Sequence, residues 1–129
     1  MARIEAGVDV DIRVISHHAG NAGASVGATF LADAANEAVI GGRTGRLRIH
    51  APFHHSPVIT VERFGEVVAT HDTSFTGHGF RFEVAEMERC VAAGLTESAL
   101  RPAADTIAVM EWMDAIRARI GVVFPEEVE

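Results

Sequence analysis

The chain reads as an α+β protein: an open, mostly antiparallel β-sheet followed by two C-terminal helices packed on one face. Three observations predict this class. Up to Phe75 apolar and polar residues alternate with the period of two that a half-buried strand requires. After Phe75 the period lengthens to that of a helix, twice over. Gly, Asn and Pro clusters punctuate the alternating stretches, and strands followed by helices is the α+β order.

The first strand carries Val8, Val10, Ile12 and Val14 between Asp9, Asp11 and Arg13. Turn chemistry follows in H-H-A-G-N-A-G-A, and a second strand runs from Ala24 through Val26, Ala28, Phe30 and Ala32. Asn36 to Ile40 reads as a third strand, the G-G-R-T-G run at 41–45 as a turn, and Leu47 and Ile49 as part of a fourth strand. Pro52 and Pro57 bracket a loop, A-P-F-H-H-S-P, which cannot be a central strand because proline donates no ladder hydrogen bond. Val58–Val61 and Val67–Ala69 flank R-F-G-E, a hairpin signal. Phe80, Val84, Met87 and Val91 then form one helical stripe that Gly94 ends. A second helix opens near Pro102, carries the stripe Val109, Met113, Ile116 and Ile120, and stops at Gly121. Asp105 in its first turn and Arg117 and Arg119 in its last complement the helix dipole, and a short closing strand is expected to Pro125.

Ile15, Leu31, Ile59 and Val68 are apolar but out of phase with the main alternation, so both sheet faces carry apolar surface. Two helices cover one face, and the other needs a partner layer. A homodimer or larger assembly through that face is expected.

Composition excludes several classes of function. At 129 residues and 48% hydrophobic the chain is one domain with a core to bury. A net charge of −7, with no Lys and scattered Arg, argues against a nucleic-acid partner. No apolar run approaches the roughly 20 residues of a membrane span, and the first residues show no signal-peptide core. A single Cys rules out an internal disulfide framework, so the expected compartment is cytoplasmic.

No catalytic centre shows in the residues themselves. The Gly-rich run from Gly20 to Gly27 lies between strands and has the wrong spacing for a dinucleotide fingerprint. In the run from Gly77, Phe82 stands where the third Gly is needed, and Gly41–Gly45 lacks the Lys of a phosphate loop. The seven His show no metal-ligand spacing, so no metal is expected. Cys90 sits on a helical stripe and reads as a small hydrophobe rather than a nucleophile. Asp9 and Asp11 share a strand face, where nothing shields either carboxylate.

The segments G-F-R-F-E-V-A-E-M-E-R-C, A-G-L-T-E-S and M-D-A-I-R-A-R-I-G-V-V-F-P, with G-V-D at 7–9, R-T-G-R-L-R-I at 43–49 and P-F before His54, resemble the C-terminal domain of one enzyme family. That family is the glucose–fructose oxidoreductase/inositol dehydrogenase/rhizopine-catabolism (Gfo/Idh/MocA) group of NAD(P)-dependent dehydrogenases. The resemblance implies that 1–129 is most of such a C-terminal domain, without the Rossmann domain. NAD or NADP would be held by that other domain, with no cofactor residues and no catalytic residues in this chain. It also implies an exposed sheet face that makes the subunit interface. The family's catalytic Lys lies in an E-K-P motif of the Rossmann domain, and this sequence has no Lys. The resemblance implies substrate contacts at Phe53, at His54, which departs from the aromatic residue that relatives often have there, and at Phe75 before the Gly-rich turn. The competing assignment for Phe53 and Phe75 is ordinary core aromatics.

Two readings of function follow. In one, the chain is the substrate-side and oligomerisation domain of an oxidoreductase acting on a sugar, polyol or cyclic diol. In the other, it is a stand-alone α+β assembly or small-ligand-binding module without catalytic activity.

Overall fold

The strands begin as a tight hairpin that the sequence reading did not anticipate. In the computed structural model, which describes residues 1–124, β1 (Ala2–Glu5) pairs antiparallel with β2 (Val8–His18) around Ala6 and Gly7. Both turn residues have positive φ, the geometry that matches strand twist in a two-residue hairpin. The element order continues with β3 (Ala22–Thr29), β4 (Ala38–Gly41), β5 (Arg46–Ile49), β6 (Val58–Arg63), β7 (Glu66–Asp72), α1 (Phe80–Ala92) and α2 (Ala103–Ile120).

The class is α+β, with antiparallel strands, two helices and no closed barrel. The expected single sheet is divided in two: a three-stranded sheet in the order β1-β2-β3, and a four-stranded sheet in the order β4-β5-β6-β7. The helices do not share one face of a common sheet. The described residues form two compact units, 1–34 with 97–124, and Ala35–Thr96, so that α2 belongs with the first sheet and α1 with the second.

In the first unit β2 is the central strand, pairing Ile12 with Ala28 and Val14 with Val26. The register against β1 skips Val10, since Arg3 faces Asp11 while Ile4 faces Asp9. Such a bulge inverts the side-chain phase, and it accounts for Asp9 and Ile12 lying on the same side. Together with Met110, Met113, Asp114, Ile116, Arg117, Ile120, Val122 and Phe124 they line a cavity of about 310 Å³ between β2 and α2. Helix α2 follows Pro102, which is its N-cap rather than its first helical residue, and ends on Gly121 in the left-handed conformation. The expected closing strand does not form among the described residues; Val122 is buried there and donates its N–H to the Arg117 carbonyl. Pro125 lies outside the described residues.

In the second unit β5 and β6 are central, and Gly45 enters β5 close against β6. A Cβ on Gly45 would come 2.5 Å from the Glu62 carbonyl oxygen, so only glycine fits. Phe64 and Gly65, both at positive φ, close the β6–β7 hairpin. A second bulge skips Val68, because Val61 faces Ala69 and Glu62 faces Val67. That extra residue explains why Val68 falls out of phase in the sequence.

The helical periodicity located both helices, but the stripes are not the buried core they were expected to be. Phe80 is 72% exposed, Met87 61%, Val109 44% and Met113 52%, while Ile116 and Ile120 are half-buried. The apolar residues buried among those described are Cys90 and Val122. Periodicity here marks which faces seek cover, not which faces have it.

Candidate functional site

The residues matched by resemblance gather in the second unit, where the 52–57 loop meets the end of β7. Local hydrogen bonding makes the meeting. His50 continues the β5–β6 pairing by donating its N–H to the Val58 carbonyl at 3.3 Å, and its ring Nε2 lies 3.0 Å from Thr60 Oγ1. The chain then turns through a single 3-10 turn, Phe53–His55, in which the His55 N–H meets the Pro52 carbonyl at 2.9 Å. The Phe53 N–H donates to Asn36 at 2.9 Å, tying the loop to the approach of β4.

From the other side, the Thr73 N–H donates to the Pro57 carbonyl at 2.8 Å and Thr73 Oγ1 to the Ser56 carbonyl at 2.7 Å. The Ser74 N–H donates to the Asp72 carboxylate at 2.8 Å, an Asx turn that redirects the chain after β7. The hydrogen bonds from Ser74 hold the Asp72 carboxyl below its ordinary range. These bonds deliver Phe75, half-buried, against the ring of His55 at a centroid distance of 4.7 Å.

The contacts continue as an aromatic series. Phe75 meets Phe82 edge-on at 5.2 Å, and Phe53 meets His54 edge-on at 5.9 Å. The guanidinium of Arg81 lies over both phenyl rings, 5.5 Å from the Phe75 centroid and 4.7 Å from that of Phe82. Phe53 is 50% exposed and His54 is exposed, which does not fit the assignment of Phe53 as a core aromatic. The structure thus brings Phe75 to the loop that holds Phe53 and His54, through His55. The sequence reading did not single out His55, Phe82 or Arg81. Their signal was the His54-His55 doublet and the F-R-F run at the mouth of α1, where Phe82 rather than the stripe residue Phe80 turns to Phe75.

What this surface can do is stack against a flat or cyclic molecule. Among the described residues no three His, Cys, Asp or Glu converge as a metal site would require. Nor do the glycine runs fit a dinucleotide: the run at Gly20 joins two antiparallel strands, and Gly42 and Gly45 close a turn between β4 and β5. A phosphate loop needs a parallel strand leading into a helix N-terminus. Cys90 is buried on α1, 3.4 Å from Arg89 Nη2 and 3.5 Å from the Glu86 carboxylate.

The same unit holds an ion-pair network on one sheet face. Glu62, 7% exposed, accepts from Arg46 Nε at 2.6 Å and from Arg48 Nε at 3.0 Å, and Arg48 reaches on to Glu37 at 2.7 Å. The Arg46 and Arg48 guanidiniums hold the Glu62 carboxyl below its ordinary range, and Glu37, then Glu62, raise the Arg48 pKa. In the first unit and the second alike, no helix among the described residues is long and apolar enough to cross a membrane.

No family model matches the chain. Among curated proteins it is similar to the trans-1,2-dihydrobenzene-1,2-diol dehydrogenase of Danio rerio, 29% identical over 129 residues, which is 96% of this chain and 39% of that protein. The dehydrogenases of the same name from Xenopus laevis and Xenopus tropicalis are 28% and 29% identical over 127 and 126 residues, covering 94% of this chain and 38% of each relative. The chain therefore spans about two fifths of the length of the curated relatives it matches, and nearly all of it takes part in the similarity.

Proposed function

We propose that this chain is the substrate-side part of an NAD(P)-dependent dehydrogenase of the Gfo/Idh/MocA type that acts on a cyclic diol. The observation that carries the reading is the tilted Phe75–His55 ring contact on the loop that also holds Phe53 and His54, in a chain similar along its length to diol dehydrogenases. Aromatic faces and imidazole edges suit a substrate that is a ring with hydroxyls: the ring stacks and the hydroxyls exchange hydrogen bonds with His N–H or N groups. Among the described residues no strand–glycine-loop–helix unit suits a nicotinamide dinucleotide, and we assign its binding and the redox step to other parts of such an enzyme. What these residues do is bind and orient the ring and keep water from one of its faces.

Assembly is part of the same proposal. Ile15 is 79% exposed, Leu31 50% and Val68 54%, and such residues favour a second copy of the chain as cover.

The test is the polypeptide as its gene encodes it, assayed for oxidation of trans-1,2-dihydrobenzene-1,2-diol with NADP⁺ and NAD⁺. Activity that falls at least tenfold in kcat/KM for Phe75→Ala supports the reading, since a buried ring contact contributes on the order of 1.4 kcal/mol or more. Turnover that ignores this substitution, or no diol oxidation with either cofactor, refutes it.

A further inference from the structure

We propose that Arg81 makes this ring-binding surface selective for anionic rings, so that the favoured substrate is a cyclic diol bearing a carboxylate. The inference rests on the reading of the Phe75 cluster as the substrate site and specifies its charge.

Arg81 is unlike the other arginines that have a defined neighbour. Arg3, Arg13, Arg46, Arg48, Arg89 and Arg117 each pair with a carboxylate. Among the described residues Arg81 pairs with none, yet it is held in place over two phenyl rings. Stacking on ring faces positions a guanidinium through its π surface and leaves the in-plane N–H donors unspent. Those donors form the fork that receives a carboxylate with two parallel hydrogen bonds.

The surroundings favour this use. The chain carries a net charge of −7, which repels anions in general. Among the described residues six of the eleven arginines pair with an acid. Here the side chain lies instead along the cluster that presents Phe75 and His55, with the Gly79 position packed so close that an added Cβ would touch the Phe75 ring at 3.7 Å. The Arg81 guanidinium lies 5.5 Å from the Phe75 centroid and 4.7 Å from that of Phe82, so a carboxylate on a ring bound at this cluster would be received there.

The experiment uses two probes with the same ring and different charge, benzoate and benzyl alcohol, titrated calorimetrically into the gene-encoded polypeptide. Benzoate is expected to bind at least about tenfold more tightly, a difference of about 1.4 kcal/mol, and to lose that advantage in Arg81→Gln, where the ratio of the two affinities falls toward one. Arg81→Lys, which keeps the charge without the planar fork, should retain part of the preference. Raising the salt concentration should weaken benzoate and leave benzyl alcohol unchanged. If benzoate binds no better than benzyl alcohol, or Arg81→Gln leaves its affinity intact, the charge assignment is overturned. In that case weakening of both probes by Phe75→Ala still upholds the ring site. If Phe75→Ala changes neither probe, the ring site fails and the assignment of Arg81 fails with it.

Discussion

Thr73 and Ser56, seventeen positions apart, are joined by a 2.7 Å hydrogen bond from the threonine hydroxyl to the serine carbonyl. That bond, with the 2.8 Å bond from the Thr73 N–H to Pro57, clamps the end of β7 to the 52–57 loop. It decides which aromatic residues meet. Without it Phe75, three residues beyond the strand, loses a tie that holds it beside His55.

Replacing Thr73 by Val removes the hydroxyl while keeping the shape. The half-buried Ser56 carbonyl loses a partner, at a cost of about 1 kcal/mol. The expected result is a small fall in melting temperature together with sharper loss of ring-ligand affinity, since Phe75 is no longer held in place. Equal affinity in the variant and the parent means the clamp does not organise the cluster.

Glu62 gives a pH dependence of defined sign. Its folded-state pKa is lowered by Arg46 and Arg48, so its contribution to stability is fully present above the ordinary carboxylate pKa and is lost as pH falls through the lowered value. In Glu62→Gln the melting temperature should drop by several degrees at neutral pH, because both guanidiniums lose the negative charge of their shared acceptor. The difference should vanish in strong acid, where the parent's carboxyl is itself protonated. A difference that stays constant down to strong acid would show that the charge of Glu62 does not matter.

Val122 and Met113 separate true burial from periodicity in the first unit. Both belong to apolar runs, but Val122 is 7% exposed and Met113 is 52% exposed. Val122→Asp forces an unpaired carboxylate into an apolar site, costs several kcal/mol and should unfold this unit. Met113→Asp keeps its carboxylate in water and should cost about 1 kcal/mol or less. Chemical denaturation of the two variants checks the ranking, and equal losses would refute it.

This contrast also shows what the sequence could convey. Strand and helix positions were legible because alternation and the 3.6-residue stripe are local properties, and the stops at Gly94 and Gly121 rest on single glycines with positive φ. The β1 strand was missed although Ala2 and Ile4 alternate with Arg3 and Glu5, since four residues give too short a period to stand out. The division into two sheets was not legible, because which strands hydrogen-bond is a long-range outcome that no local pattern encodes. At the candidate site, Phe53, His54 and Phe75 could be named from resemblance. The partners His55, Phe82 and Arg81 depend on the Thr73–Ser56 clamp and the entry angle of α1, and neither leaves a spacing to read.

In β2 the bulge at Val10 puts Asp9 and Ile12 on the side of α2, where both line the cavity with that helix. Ile15 is three residues beyond Ile12 and so projects from the opposite side, 79% exposed, beside exposed Arg13 and His17. A large β-branched side chain at the middle of a central strand is costly to leave in water: full burial contributes roughly 1.5–3 kcal/mol. The expected occupant is a second copy of the chain, in an interface of more than roughly 1,000 Å² in total. Ile15→Asp places like charges opposite each other in a symmetric contact and should shift sedimentation from dimer or larger species to monomer without loss of secondary structure. A parent chain that sediments as a monomer at tens of micromolar, or an Ile15→Asp variant that assembles as the parent does, would show that this face is not the interface.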